Sequence, residues 1–145
     1  MSAPDFLDTN ILVYAYEMAD PRKRNVAQRM MRCALAGEMV ISSQVLAELS
    51  NALLYRLSPR MPPDQVTTVL DALAPVRVIQ NDREMTRRAV EAHSDYRVHF
   101  YDGLIIAAAE RAGCERIWSE DLSSRQKYFG ITVMDPFRAD PALQH

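Results

Sequence analysis

The stretch of sequence that decides the fold is Phe6-Leu7-Asp8-Thr9-Asn10-Ile11-Leu12-Val13, close to the start of the chain. In it, an apolar pair is followed by three residues of helix-capping type and then by a second apolar run. This order predicts a buried β-strand that gives way to a helix at Thr9 or Asn10, because Asp, Thr and Asn are favoured where helices begin. A strand that leads directly into a helix is typical of sheets built from parallel strands.

Four more segments are apolar and short enough to be buried strands, and helical patterns separate them. The strand candidates are residues 39–41, 76–79, 116–118 and 130–133. The predicted helices lie at about residues 20–37, 43–57, 64–73, 81–93 and 102–109, with Asn81 as the cap of the fourth. The pattern predicts an α/β fold, in which helices cover both faces of a central, mainly parallel, five-stranded sheet in a three-layer α/β/α sandwich.

Length and composition limit the class of protein. The 145 residues suffice for one domain, predicted at residues 1–137 and followed by a short tail at 138–145. No run of about 18 apolar residues and no basic leader is present, so we expect neither a membrane span nor a signal peptide. Cys33 and Cys114 lack the spacing of a metal motif and suit the reducing cytosol. The net charge of −2 is unlike that of a protein that coats nucleic acid.

Acidic residues recur where the predicted strands end, which is where an open α/β sheet collects its functional groups. Asp8 follows the first strand, Glu48 lies in the helix after the second, and Asp102 opens the apolar helix of residues 102–109. Glu120 and Asp121 both follow the fourth strand. Singly, each of these acids is explained as a cap, a turn residue or an exposed position. Together they predict a group of carboxylates at one edge of the sheet.

Converging carboxylates need a positive partner. Two carboxylates about 4 Å apart repel each other by about 4 kcal/mol at an effective dielectric constant near 20. No Lys or His stands directly beside these acids in the sequence. Mg²⁺ and Mn²⁺ prefer oxygen ligands, whereas zinc favours His and Cys. The pattern therefore predicts a magnesium or manganese site.

Four segments of the chain resemble the acidic motifs of the PIN-domain ribonucleases, in particular the VapC-type toxins. They are FLDTNILVYA at 6–15, ISSQVLAEL at 41–49, FYDGLIIAAA at 100–109 and WSEDL at 118–122. They occur in the order of the family, and VMDPF at 133–137 is similar to its closing strand. The chain departs from the family pattern at three places: His99 stands where a small polar residue is frequent, Gly103 where Ala is common, and Ser124-Arg125 in place of a frequent Gly-containing turn.

The resemblance implies a ribonuclease that hydrolyses RNA phosphodiester bonds with Mg²⁺ or Mn²⁺ and is the toxin of a toxin–antitoxin pair. It also implies a homodimer and an antitoxin protein that blocks the site. The residues that it assigns to the metal and to catalysis are Asp8, Glu48, Asp102 and Asp121. The residues that it assigns to polar support are Asn10 and Ser119.

Two other classes of protein remain as alternatives. The first is a PIN-like module that binds RNA without cutting it, although the presence of all four acids speaks against this. The second is a phosphoacceptor receiver domain, which also carries acids at strand ends. A receiver domain needs a lysine beyond its last strand, and neither Lys23 nor Lys127 stands there.

Overall fold

A six-stranded sheet runs through residues 3–138, which are the residues that this computed structural model describes. The strands are β1 (Asp5–Leu7), β2 (Met39–Ser42), β3 (Arg77–Ile79), β4 (Arg116–Trp118), β5 (Lys127–Tyr128) and β6 (Ile131–Met134). Their order across the sheet is β3-β2-β1-β4-β6-β5. Every neighbouring pair is parallel except β5 and β6, which are antiparallel.

The predicted fold class is confirmed, because the sheet is mainly parallel and has helices on both sides. All five predicted strands are present, but the predicted count was one short. The additional strand, β5, has two residues at the edge of the sheet, and so short a segment leaves no periodic pattern to detect. Of the predicted tail, residues 139–145 lie outside the described residues.

The described residues also form six helices. They are α1 (Thr9–Tyr14), α2 (Pro21–Leu35), α3 (Ser43–Tyr55), α4 (Pro63–Ala72), α5 (Arg83–Tyr96) and α6 (Phe100–Arg111). Between residues 3 and 138, no helix has the length and apolar character needed to span a membrane.

Two helix starts differ from the prediction. Asp82, and not Asn81, caps α5, because its Oδ1 accepts from the backbone N–H of Met85 at 2.9 Å. Helix α6 begins at Phe100, two residues before Asp102. Its cap is His99, an unusual capping type that sequence preferences do not select.

Helix α6 is the most buried helix, since the seven residues from 103 to 109 are all shielded from solvent. It packs closely against α5, and Gly103 makes this approach possible. A Cβ at position 103 would lie 2.7 Å from the carbonyl oxygen of Ala89 in α5. Because Gly103 has no side chain, α6 can lie close to α5, and this close packing sets the position of the adjacent residue, Asp102.

Candidate functional site

Four acidic side chains line one cavity of about 150 Å³ beside the central strands β1 and β4. Asp8 directly follows β1, and Asp121 follows β4 in the chain. Glu48 and Asp102 reach the cavity from helices α3 and α6. The structure thus brings together all four acids that the sequence predicted, although they are spread over more than a hundred residues of the chain.

Asp8 is the most deeply buried of the four, with 5% of its surface exposed. Its Oδ1 accepts from the backbone N–H of Thr9 at 2.7 Å, and its Oδ2 accepts from the Ser119 hydroxyl at 2.8 Å. The pKa of Asp8 is raised from 3.8 to about 7, chiefly by burial and to a smaller extent by repulsion from Asp121 and Glu48, while the two hydrogen bonds oppose the rise. Without a cation in the cavity, this carboxyl group is therefore partly protonated at neutral pH.

Asp102 is electrostatically coupled to the same group of acids. It is half-buried in the first turn of α6. Burial raises its pKa, repulsion from Asp121 adds to this, and the nearby His99 opposes it. Asp121 thus acts on both Asp8 and Asp102, so the carboxylates repel one another across the cavity. Between residues 3 and 138, none of the four acids forms an ion pair with a basic side chain.

Ser119 and Asn10 connect the residues after β4 to the start of α1 through hydrogen bonds. Ser119 is fully buried, and besides donating to Asp8 its Oγ accepts from the backbone N–H of Asp121 at 3.1 Å. The Asn10 Oδ1 accepts from the backbone N–H of Glu120 at 3.2 Å. Both side chains therefore fix the backbone that presents Asp121 to the cavity.

Two further side chains orient Glu48, and neither was predicted from the sequence. The Thr9 hydroxyl donates to Glu48 Oε1 at 3.0 Å, and Gln44 Nε2 donates to the same oxygen at 3.2 Å. Gln44 stands four residues before Glu48 on α3, a spacing that places both on one helix face. That spacing was available from the sequence. The approach of Thr9 across 39 residues of chain was not.

Glu120 and Asp121 have different surroundings. Glu120 forms an ion pair with Lys23 at 2.6 Å and accepts from the Tyr14 hydroxyl at 2.8 Å. It does not line the acid cavity, whereas Asp121 does. The geometry therefore favours Asp121 over Glu120 as the fourth acid, which the order of residues alone left open.

Arg56 is the one basic residue among those that line the acid cavity, and the sequence analysis did not select it. It follows α3 and is exposed to solvent, and its guanidinium forms no hydrogen bond or ion pair with any residue from 3 to 138. It also lines two neighbouring cavities, of about 810 and 300 Å³, so all three cavities open beside its side chain. Arg56 stands eight residues after Glu48, a spacing that places both on the same side of α3, so its position near the acids could have been predicted from the sequence.

The donor atoms of the cavity fit a hard divalent cation. Its lining offers carboxylate, hydroxyl and amide oxygens and contains neither His nor Cys, which argues against zinc. Among residues 3–138, no three His, Cys, Asp or Glu side chains come close enough together to hold an ion by themselves. Mg²⁺ does not require this, because it keeps several waters and is commonly bound by one or two carboxylates.

Comparison with known proteins identifies the family. The family model described as PIN domain matches residues 6–129. No curated protein matches the sequence. Among solved structures, VapC20 of Mycobacterium tuberculosis, described as a sarcin-ricin loop cleaving toxin, is similar at a TM-score of 0.61 and 19% identity, over 81% of this chain and 89% of that chain.

Two toxin–antitoxin structures are also similar. A toxin–antitoxin complex from Klebsiella pneumoniae gives a TM-score of 0.63 at 21% identity, over 93% of this chain and 98% of that chain. DNA-bound VapBC from Salmonella typhimurium gives a TM-score of 0.66 at 20% identity, over 93% of this chain and 99% of that chain. Identities this low show a shared fold alone, but the family model covers most of the sequence. This chain therefore belongs to the PIN domain family.

Proposed function

We propose that this chain is a metal-dependent ribonuclease and the toxin of a toxin–antitoxin pair. The observation that carries the proposal is the buried Asp8, which shares a cavity with three other carboxylates and has no cationic partner in residues 3–138. An acid buried for structural reasons is normally paired with a cation, because an unpaired buried charge is costly. Acids gathered without such a partner suit an ion that comes from solution.

Asp8 and Asp102 are the residues that we assign to direct binding of Mg²⁺ or Mn²⁺, while Glu48 and Asp121 complete the site or orient water. When bound, such an ion activates water and neutralises charge on a phosphodiester. The two hydrogen bonds to Asp8 hold its carboxylate in one orientation and favour its ionised form. The carboxylate is therefore preorganised to receive a cation.

Arg56 is placed to bind a phosphate group of the substrate. A guanidinium presents several N–H donors in a planar fork that matches phosphate oxygens. Because no residue from 3 to 138 occupies these donors, they are available to a substrate at the mouth of the acid cavity. RNA as the substrate is supported by the similarity to VapC20, which is described as cleaving the sarcin-ricin loop.

The partners and the compartment belong to the same proposal. An antitoxin protein is supported by the similarity to a toxin–antitoxin complex. We also propose a homodimer, which light scattering of the purified chain tests directly. The free thiols of Cys33 and Cys114 suit the cytosol.

The alternatives are weaker for specific reasons. A receiver domain needs a lysine close to its acids, but Lys23 pairs with Glu120, and Lys127 lies in the edge strand β5. Neither lysine lines the acid cavity. An RNA-binding module without catalysis would have no use for Asp8, whose burial in ionised form costs stability.

The test is to incubate the protein with a panel of structured RNAs in Mg²⁺, Mn²⁺ or EDTA and to map the ends produced. Asp102→Asn removes one proposed metal ligand, and Asp95→Asn is a matched control on the exposed surface of α5. We expect cleavage that needs a metal, fails in Asp102→Asn and survives in Asp95→Asn. Binding without cleavage in every condition would instead indicate the non-catalytic module.

A further inference from the structure

A groove of about 810 Å³ opens directly beside the acid cavity. The two share Glu48 and Arg56, so a ligand that reaches the acids can extend into the groove without leaving the surface. The groove wall formed by α6 contributes Tyr101, which immediately precedes Asp102 in the chain. A ligand that binds in the groove beside the acids is therefore within reach of Tyr101.

Charge distinguishes this groove from the cavity on the other side of the acids. That cavity, of about 300 Å³, is lined by three acidic residues, Glu17, Glu120 and Asp121, of which Glu120 is paired with Lys23 and the other two form no ion pair with a basic side chain from residues 3 to 138. Among the acidic residues, only Glu48 lines the Tyr101 groove. A polyanionic strand is repelled less by the groove, so the groove is the favoured path for the nucleotides next to the cleaved bond.

Tyr101 has the form of a stacking platform. Its side chain is 56% exposed, although a tyrosine normally buries most of its ring. The His99 ring stacks on it at a centroid distance of 5.9 Å and an angle of 24°, and Phe100 meets it edge-on at 5.2 Å. These neighbours support the ring in one orientation while leaving it accessible to a planar ligand.

Gln44 ties this platform to the acids. Its Nε2 donates to the backbone carbonyl of Tyr101 at 3.0 Å and to Glu48 at 3.2 Å. Both partners are acceptors, so the orientation of the amide is fixed, and its Oε1 is left buried without a donor from residues 3–138. A buried polar atom without a partner is unfavourable. The unfavourable atom belongs to Gln44, the side chain that links the Tyr101 backbone to Glu48, one of the proposed metal-site acids.

We propose that Tyr101 stacks on the nucleobase next to the scissile phosphate of a single-stranded RNA segment, with Asn51 contacting the edge of that base. This inference rests on the proposed ribonuclease function. Asn51 lines the groove, and its amide makes no hydrogen bond with another side chain or backbone group from 3 to 138, so it offers both a donor and an acceptor. Base stacking on an aromatic ring tolerates every base, whereas contact with the edge discriminates among them.

The first test measures binding of a single-stranded decamer RNA of mixed sequence in EDTA, where the proposed reaction does not proceed. An abasic nucleotide is moved along the decamer, and each version is titrated with wild-type protein and with Tyr101→Ala. We expect one position at which the abasic change weakens wild-type binding about tenfold but does not weaken Tyr101→Ala further. This non-additivity identifies the base that contacts Tyr101.

Matched variants separate stacking from other effects. Tyr101→Phe keeps the ring and should bind as wild type, and Tyr55→Ala removes a tyrosine that is 63% exposed outside the groove and should change nothing. In the cleavage assay, Tyr101→Ala should raise KM about tenfold and leave kcat within about threefold, because stacking is uniform binding.

Several outcomes would overturn the subsite. One is wild-type RNA binding by Tyr101→Ala, and another is equal loss at every abasic position. A third is a change of molecular mass in Tyr101→Ala, which would show that the groove is covered by protein. If the wild type cuts no RNA but one abasic position still shows the non-additive loss of binding with Tyr101→Ala, Tyr101 contacts a base and the ribonuclease proposal is wrong.

Discussion

Asp8 and Asp82 have the same residue type and the same local role, but opposite surroundings. Each caps a helix with its side chain, α1 and α5 respectively. Asp82 is exposed and pairs with Arg111, whose hydrogen bond holds the pKa of this carboxyl group below its usual range. Asp8 is buried and forms no ion pair with a basic side chain from residues 3 to 138, and its pKa is raised to about 7. A cap alone requires no such burial, so the surroundings of Asp8 serve another role.

The two kinds of surroundings occur at opposite ends of one helix. Near its start, α6 carries Asp102, whose pKa is raised by burial and by Asp121. Near its end it carries Glu110, which accepts from Arg88 through both oxygens at 2.8 and 2.9 Å. The acids that hold α5 and α6 together are therefore ion-paired, whereas none of the four cavity acids forms an ion pair with a basic side chain from residues 3 to 138.

The largest expected effect is on catalysis. Asp8→Asn keeps the shape of the side chain but removes its charge, so RNA cleavage should fall by at least about 100-fold, beyond the roughly 10–100-fold typical of partners that only support metal ligands. Asp82→Asn should leave the rate within about threefold, since Asp82 does not line the acid cavity. Cleavage with Mn²⁺ measures both. If the two variants cut RNA equally well, the distinction between the two aspartates has no functional meaning.

The second expected effect is on how stability changes with pH in metal-free protein. Because the folded state holds the Asp8 proton more tightly than the unfolded state, the free energy of unfolding should fall as pH rises from about 4 to about 7. The rise of the pKa from 3.8 to about 7 corresponds to about 4 kcal/mol, an order of magnitude for a buried group. Asp8→Asn should remove this fall and be more stable than wild type above pH 7.

For Asp82, the free energy of unfolding should change with pH in the opposite direction. Its pKa is lowered on folding, so its contribution to stability is present above the unfolded pKa and is lost as pH falls through the folded pKa. Asp82→Asn should therefore weaken the protein at neutral pH. Urea unfolding in EDTA at pH 5, 7 and 8.5 tests both aspartates, because the loss of stability in Asp82→Asn should be the same at all three pH values, whereas the effect of Asp8→Asn should change between them. Parallel profiles for wild type and Asp8→Asn would show that Asp8 has no unusual pKa.

The sequence predicted the acids better than it predicted their surroundings. Asp8, Glu48 and Asp102 were selected because strand and helix patterns place them at one edge of the sheet, and this depends on local periodicity. The choice between Glu120 and Asp121 depends on Lys23, about a hundred residues away, and local periodicity carries no such information. The edge strand β5 was missed for a related reason, since its pairing with β6 leaves no repeating pattern in two residues.

The third expected effect concerns Arg56, the basic residue of the cavity lining. If it binds substrate phosphate, Arg56→Gln should lower kcat/KM about 10–100-fold, the scale of losing a charge-assisted hydrogen bond in a transition state. Folding should change little, because the side chain has no partner in residues 3–138. Arg60→Gln is the matched control, since Arg60 is exposed on the same segment but does not line the cavity. Equal kinetics for the two variants would remove Arg56 from the site.

The fourth expected effect is on stability and concerns α6, the helix that carries both Asp102 and Glu110. Gly103→Ala would place a Cβ 2.7 Å from a backbone oxygen of α5, and backbone cannot move aside as a flexible side chain does. We expect a loss of about 1–3 kcal/mol in the free energy of unfolding. Because Asp102 is the adjacent residue, the cleavage rate should fall as well. Unchanged stability in urea would mean that α5 and α6 can separate without cost.

The smallest expected effect compares two adjacent acids, one paired and one unpaired. Glu120→Gln removes a charge that faces Lys23 and Tyr14 instead of the acid cavity, so cleavage should stay within about threefold of wild type. Its effect on stability should be about 0–1 kcal/mol, because both side chains of the ion pair are about a quarter exposed to solvent. Asp121→Asn removes the neighbouring charge from the cavity itself and should slow cleavage at least about tenfold. The ratio of the two rates decides which acid serves the site, and a larger loss in Glu120→Gln would reverse the assignment. Such a reversal would also show that an acid paired with a lysine can serve in catalysis. The comparison of Asp8 with Asp82 assumes the opposite, namely that an ion-paired acid has a structural role only.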